Sequence, residues 1–329
     1  MVVTPPRQFR HLALFYRGRD EYLTGLCDFI QSSRARGHAV FAAVPGRQAE
    51  QLRRRLGDDS AQVAVADMAE LGRNPARIIP EVLAFAQSHP GQDVCCVGEP
   101  IWPGRTTEEI EEAVRHEALV NLAFRDRPVT FLCAYDSARL PRWVVADAAS
   151  THPSVVTGQR EAVSAGYLSA PALPPRCERA LSGPPAQAEA LGYRDDLRSV
   201  RSFIASRAEQ AGLGPSRISD LVIAVSELAA NTVRHAGGDG IVHIWRTERK
   251  VVCQVADRGQ ITDPLAWHRA QSGLALGGQG LWLVNQLCDL VQARTSQAGT
   301  VARLHMRLGP VRKSAVGIAG AVLGGVLRT

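Results

Sequence analysis

Lysine is almost missing from this 329-residue chain; only Lys250 and Lys313 occur, and arginine carries the positive charge. A phosphate loop of the form GxxxxGK[ST] needs a lysine to reach the β- and γ-phosphates. The N-terminal half has none, so it cannot hold a nucleotide by that route. CxxC pairs are missing too: Cys27, Cys95, Cys96, Cys133, Cys177, Cys253 and Cys288 are odd in number and mostly sit inside apolar runs. That pattern argues against a disulfide framework and for reduced core thiols, hence a cytoplasmic protein. No apolar stretch is long enough to span a bilayer; the most apolar run, residues 314–327 behind Arg312 and Lys313, has 14 residues. A frayed tail or a docking segment is expected there. The start, MVVTPPRQFRH, lacks a basic stretch followed by an apolar core, so no secretory signal is expected.

What the chain does contain is ordinary for a globular protein, with 45% hydrophobic and 21% charged residues. Its length suits two domains, each able to bury its own core. The formal charge is +6, and the densest basic run, Arg53-Arg54-Arg55, ends a helical segment, where cations meet the negative end of the helix dipole. A solvated helix end explains that run, and no direct nucleic-acid partner is expected.

From His11 to about residue 155, HLALFY, AVFAAVPG, VAVADM, DVCCVGEP and VTFLCAYD read as buried strands separated by helical patterns. One helix starts at Thr106, whose hydroxyl can cap it while Glu109 reaches back. Strands alternating with helices imply an α/β domain with a mainly parallel sheet, whose ligands would bind beyond the carboxyl ends of the strands. Residues 157–194 change character, with Pro171, Pro174, Pro175, Pro184 and Pro185 among small residues, and read as an extended linker. A second, α+β domain follows over 195–310. Leu197, Val200, Ile204 and Ala208 lie on one helical stripe. A longer helix, about 216–235, stops at Gly237-Gly238 and turns Leu221, Val225, Leu228 and Val233 toward a sheet. IVHIWRTE, KVVCQVAD and VARLHMRL alternate as antiparallel strands, with a helix over LWLVNQLCDLV. Residues 311–329 form the tail.

Three pieces of this second half carry chemistry. In SELAANTVRHAG, Glu227, Asn231 and His235 recur every four residues on one helix face; an amide oxygen suits Mg²⁺ and a carboxylate accepts a proton. In VADRG, Asp257 ends a strand where it can accept a hydrogen bond from an exocyclic amine, and Gly259 lets a ring approach the backbone. In GGQGLWLVNQL, Gly277, Gly278 and Gly280 precede a helix whose first amides attract phosphate. Each alone is matched by a plain solvated face, turn or helix start.

In this order the three motifs resemble the GHKL ATPases, with the Bergerat sandwich, and most closely anti-sigma-factor serine kinases of the RsbW and SpoIIAB type. The resemblance covers roughly residues 190–310. It implies an ATP and Mg²⁺ site in which Asn231 holds the metal, Asp257 reads the adenine amine and Thr300 supports that contact. It further implies that Gly277, Gly278 and Gly280 wrap the phosphates, Glu227 is the general base and residues 261–276 form a lid. The implied partner is an anti-anti-sigma factor, with a sigma factor as the other client. Ile261 stands where many members have a second glycine, which bears on lid geometry and turnover. The first half, through HLALFY, EYLTGLCDFI, AAVPGR, VGEPIWPGR, EALVNLAF and CAYDSARLP, resembles the MEDS sensory domain over about residues 10–155, within a domain taken as 1–156. That likeness makes His11, Glu99, Glu117 and Tyr135 candidates for lining a small-molecule pocket.

Three functions follow as expectations. The first is a protein serine kinase under sensory control, with a homodimer as an assembly to be tested. The second is an ATP-binding partner-switching module with little turnover, which Ile261 favours. The third is a two-component histidine kinase, disfavoured because His152 precedes Pro153 beside the linker instead of lying on a long helix.

Overall fold

The structure, a computed structural model, describes residues 8–158, 160–169, 172–269 and 280–309. The chain divides into two compact units, with the boundary after Cys177.

The first unit runs β1 (Arg10–Tyr16), α1 (Gly18–Ala35), β2 (Ala39–Val44), α2 (Gly46–Leu56), β3 (Val63–Asp67), α3 (Met68–Leu71), α4 (Ile78–Gln87), β4 (Val94–Gly98), α5 (Thr107–Ala123), β5 (Val129–Asp136), α6 (Arg142–Thr151), β6 (Ser154–Thr157) and β7 (Arg160–Val163). A short α7 (Pro175–Glu178) lies at the boundary. The sheet order is β3-β2-β4-β5-β1-β6-β7. It is parallel except for the β6–β7 pair. Seven of the eight residues of β5 are buried, as expected of a strand covered on both faces. Leu12, Leu14, Leu132 and Ala134 form one core with Leu26 and Ile30 of α1 and Leu52 of α2. The alternate residues, His11, Cys133 and Tyr135 among them, therefore point to the other face. Helix α5 begins with the expected capping box: the Glu109 amide donates to Thr106 Oγ1 at 3.3 Å, and the Thr106 amide donates to Glu109 Oε2 at 2.9 Å.

The second unit contains β8 (Glu189–Tyr193), α8 (Leu197–Gln210), α9 (Pro215–His235), β9 (Gly240–Arg246), β10 (Lys250–Asp257), α10 (Gly280–Leu287), β11 (Leu290–Ser296) and β12 (Gly299–Arg307). Its sheet, β11-β12-β10-β9-β8, is antiparallel throughout. Val200, Ile204 and Ala208 of α8 and Leu221, Val225 and Leu228 of α9 pack with Val242, Val255 and Leu304 of the sheet. Helix α9 ends as its glycines suggest: Gly237 and Gly238 take φ of 79° and 93°, and the Gly238 amide donates to Thr232 O at 3.2 Å.

Three details differ from the sequence reading. Val233 is exposed, while Ala229 and Thr232 are fully buried, so the buried stripe of α9 turns through positions 221, 225, 228, 229 and 232. Helix α10 stops at Leu287, and Leu290–Ser296 forms a strand at the sheet edge. The stretch read as linker adds β7 to the first sheet and β8 to the second. The tail, residues 311–329, lies outside the described residues, and no helix among the described residues is long and apolar enough to cross a membrane. All seven cysteines are free and buried.

Candidate functional site

Strand β10 delivers Asp257 to the end of the second sheet, opposite Thr300 of β12. A close approach of backbone sets that edge. Gly299 has a φ of 124°, and a Cβ there would lie 1.9 Å from Asp257 O. The Asp257 carboxylate is half-buried and held at both oxygens. Thr232 Oγ1 donates to Oδ2 at 2.7 Å, and the Gly259 amide donates to Oδ1 at 2.8 Å. Thr232 has a single proton, so Tyr193 of β8, whose hydroxyl lies 2.9 Å from Thr232 Oγ1, is the donor in that pair. On the other side Thr300 Oγ1 donates to Gly259 O at 2.8 Å, which leaves Thr295 to donate to Thr300 over 3.0 Å. Asp257 thus keeps free lone pairs but no freedom to turn.

Asp257, Gly259, Asn231, Thr300 and Gly280 line one cavity of about 390 Å³. Leu228, Val255 and Ala302 give it an apolar wall, and Ile261, Trp267 and Arg269 close another side. Glu227 stands one turn before Asn231 on α9, against the start of α10: a Cβ on Gly280 would come 2.6 Å from Glu227 Oε2. The amide oxygen of Asn231 accepts from Arg234 Nη2 at 3.2 Å. Gly277 and Gly278, and the lid from residue 270 to 276, lie outside the described residues. Within the described part of the lid, Asn285 Nδ2 of α10 donates to Trp267 O at 2.6 Å, and Arg269 pairs with Asp263 at 3.0 Å. Sequence reasoning did not single out Thr232, Tyr193 or Asn285. Thr232 directly follows Asn231 and faces inward; that was the available signal.

The four residues expected to line a sensory pocket are all buried but do not form one set. Glu99 follows β4 at the carboxyl end of the sheet and accepts from the Tyr16 hydroxyl at 2.9 Å. Burial pushes its carboxyl up to about 7, against the lowering effect of that hydrogen bond. His11, Glu117 and Tyr135 meet instead on the opposite face. His11 Nε2 and His152 Nε2 each lie 3.0 Å from Glu117 Oε2, and the Tyr135 ring stands edge-on to His152 at 5.6 Å. Of the four, only Glu117 borders the small cavity of about 20 Å³ beside Cys133 and Met68, which is room for one water. His152 is fully buried at the end of the ten-residue α6.

The comparisons with known proteins divide the chain in the same way. Residues 10–153 match the family model of the methanogen/methylotroph DcmR sensory domain, MEDS. Residues 193–306 match that of the histidine kinase-like ATPase domain. Over 134 residues the chain is 34% identical to the serine-protein kinase RsbW of Bacillus pumilus (strain SAFR-032), a match covering 36% of this chain and 79% of the relative. With the serine-protein kinase RsbW of Bacillus subtilis (strain 168) the identity is 33% over 132 residues, with the same shares of 36% and 79%. Among solved structures, one of the RsbU and RsbW domains of a Mycobacterium tuberculosis protein is similar, with a TM-score of 0.30 and 23% identity. That match covers 40% of this chain and 35% of the other, about a third of its length.

Proposed function

Through its C-terminal unit the chain belongs to the family of the RsbW serine-protein kinases, and from that premise we propose that it is an ATP- and Mg²⁺-dependent protein serine kinase acting on an anti-anti-sigma partner. The observation that carries the proposal is the convergence of Asn231, Asp257, Gly259, Gly280 and Thr300 on one cavity, with Glu227 beside it. The cavity fits an adenine: its volume falls in the range of small-molecule sites, its wall is apolar, and Asp257 offers lone pairs to an exocyclic amine.

In this reading Asp257 and Thr300 fix the purine, and Asn231 Oδ1, now hydrogen-bonded by Arg234, would hold Mg²⁺. When bound, the ion offsets charge on the phosphates. The amides at the start of α10, with Gly277 and Gly278 before them, hold the terminal phosphate. Glu227 accepts the proton of the partner's serine hydroxyl as that oxygen bonds to the γ-phosphorus and the bond to the β-phosphate oxygen breaks, releasing ADP. The first unit gates this activity by binding a small molecule.

Radiolabelled ATP with Mg²⁺ should transfer label to a serine of the partner, and Glu227→Gln should abolish transfer while calorimetry still reports nucleotide binding. Transfer retained by Glu227→Gln would remove the base assignment. A second reading, an ATP-binding partner-switching module with little turnover that sequesters a sigma factor or another client, is favoured by one feature. Ile261 packs against the core and lines the cavity at the start of the lid, where a glycine would leave the segment free to move. In that case partner capture depends on nucleotide but no label is transferred.

A further inference from the structure

Two histidines in the first unit have tautomers that the surrounding bonds decide. Asn121 Nδ2 donates to Thr151 O at 2.7 Å, so Asn121 Oδ1 is the atom that faces His11 Nδ1 at 3.1 Å. An amide oxygen only accepts, so His11 carries its proton on Nδ1. His152 Nδ1 lies 2.7 Å from Ala148 O, and the same reasoning places its proton on Nδ1. In both neutral rings Nε2 is then a bare lone pair. Both nitrogens lie 3.0 Å from the same Glu117 Oε2. The sulfur of Cys133 lies 3.5 Å from His11 Nε2, and ligand atoms from all four residues stand within 4.8 Å of one another.

The two ring lone pairs and the Glu117 carboxylate are three acceptors with no ring proton between them, and that grouping is repulsive without a positive charge. These side chains are at most 5% exposed, so water does not relieve that repulsion. Ring nitrogens gathered around a carboxylate oxygen are the donor arrangement that a metal ion takes.

We propose that His11, Glu117, Cys133 and His152 bind one divalent transition-metal ion, zinc by donor set, as a closed four-coordinate site. Two imidazole nitrogens, a carboxylate oxygen and a thiolate suit zinc, and no redox change is asked of them. Donors at zinc-ligand distances from a tetrahedral centre stand about 3.3–3.8 Å apart, and the contacts of 3.0, 3.0 and 3.5 Å here need only small adjustment. The second shell is in place, because Asn121 and Ala148 O anchor the Nδ1 protons that orient the rings. The donors come from the start of β1, the middle of α5, β5 and the end of α6, so one ion ties four elements together. Burial and the nearby Glu117 keep the Cys133 thiol protonated without metal. Zinc binding forms the Zn–S bond and releases that proton to solvent.

The test uses the full-length chain, stripped with a chelator and then given zinc or cobalt(II). Wild type should retain about one zinc per chain after gel filtration, measured by mass spectrometry of the metal. With cobalt it should show tetrahedral d–d bands and a thiolate charge-transfer band. Cys133→Ser should lose the charge-transfer band, and Asn121→Ala should weaken zinc binding by about 10–100-fold while the chain remains folded by circular dichroism. Folded wild type that retains no zinc and shows no cobalt bands would overturn the proposal. So would a charge-transfer band that persists in Cys133→Ser, which would place the metal on another cysteine. If Cys133→Ser does not fold, unchanged zinc affinity in Asn121→Ala would overturn it instead.

Discussion

Thr232 and Asp257, separated by 25 positions in sequence, meet through a 2.7 Å hydrogen bond that joins helix α9 to the end of strand β10. The donor chain runs from Tyr193 through Thr232 to the carboxylate, so the aspartate proposed to read adenine is oriented before any ligand arrives. Replacing Thr232 by Val keeps the shape and removes the donor. The loss of one hydrogen bond to a charged group corresponds to about 1.5–3 kcal/mol, so ATP affinity measured by calorimetry should fall by about 10-fold or more. Tyr193→Phe, one bond further back, should have a smaller effect. Equal affinities in Thr232→Val and wild type would separate Asp257 from nucleotide recognition.

Arg234 holds the atom proposed to ligate the metal. Its Nη2 donates to Asn231 Oδ1 at 3.2 Å from an exposed position, so magnesium bound there would have to displace it. Exposed contacts of this kind contribute up to about 1 kcal/mol. Arg234→Ala should therefore tighten the apparent Mg²⁺ dependence of ATP binding by up to about fivefold, read from a magnesium titration at fixed nucleotide. Weaker magnesium dependence in the variant would instead place Arg234 on the phosphates.

Gly299 allows no side chain. Its φ of 124° disfavours one, and a Cβ would sit 1.9 Å from Asp257 O. Gly299→Ala must open the register that places Thr300 opposite Asp257. We expect a loss of about 3 kcal/mol or more in urea unfolding, together with loss of nucleotide binding. A variant of wild-type stability would contradict the close approach.

Both sheets were legible because their strands carry the pattern that burial demands: continuous apolar runs such as VTFLCAYD where both faces are covered, and alternation such as KVVCQVAD where one is. Strands without that pattern escaped. All four residues of β7 are exposed, and β8 buries only Tyr193, so neither differs locally from a polar linker. The start of β11, Leu290-Val291, continued the apolar spacing of α10 and was absorbed into that helix. At the proposed ATP site order and spacing singled out the motif residues, but not the Tyr193–Thr232 support, because that depends on which strand borders β9. In the first unit, strand parity separates Glu99 from His11 and Tyr135, and α5 brings Glu117 to their face. His152 could be placed with them only once α6 was seen to end beside β1.

Glu99 gives the first unit a pH dependence of definite sign. Its carboxyl has a pKa of about 7 in the folded chain, against 4.5 without burial. Between those values the native state keeps a proton that the unfolded chain has lost, so stability falls as pH rises through this window and stays low above it. The full difference amounts to about 3 kcal/mol. Glu99→Gln keeps an acceptor for the Tyr16 hydroxyl but cannot ionise. The variant should match or trail wild type in thermal melts near about pH 5 and exceed it near about pH 8, because only wild type then buries a charge. Melting curves that run parallel for the two proteins across that range would mean that Glu99 is already ionised in the folded chain there.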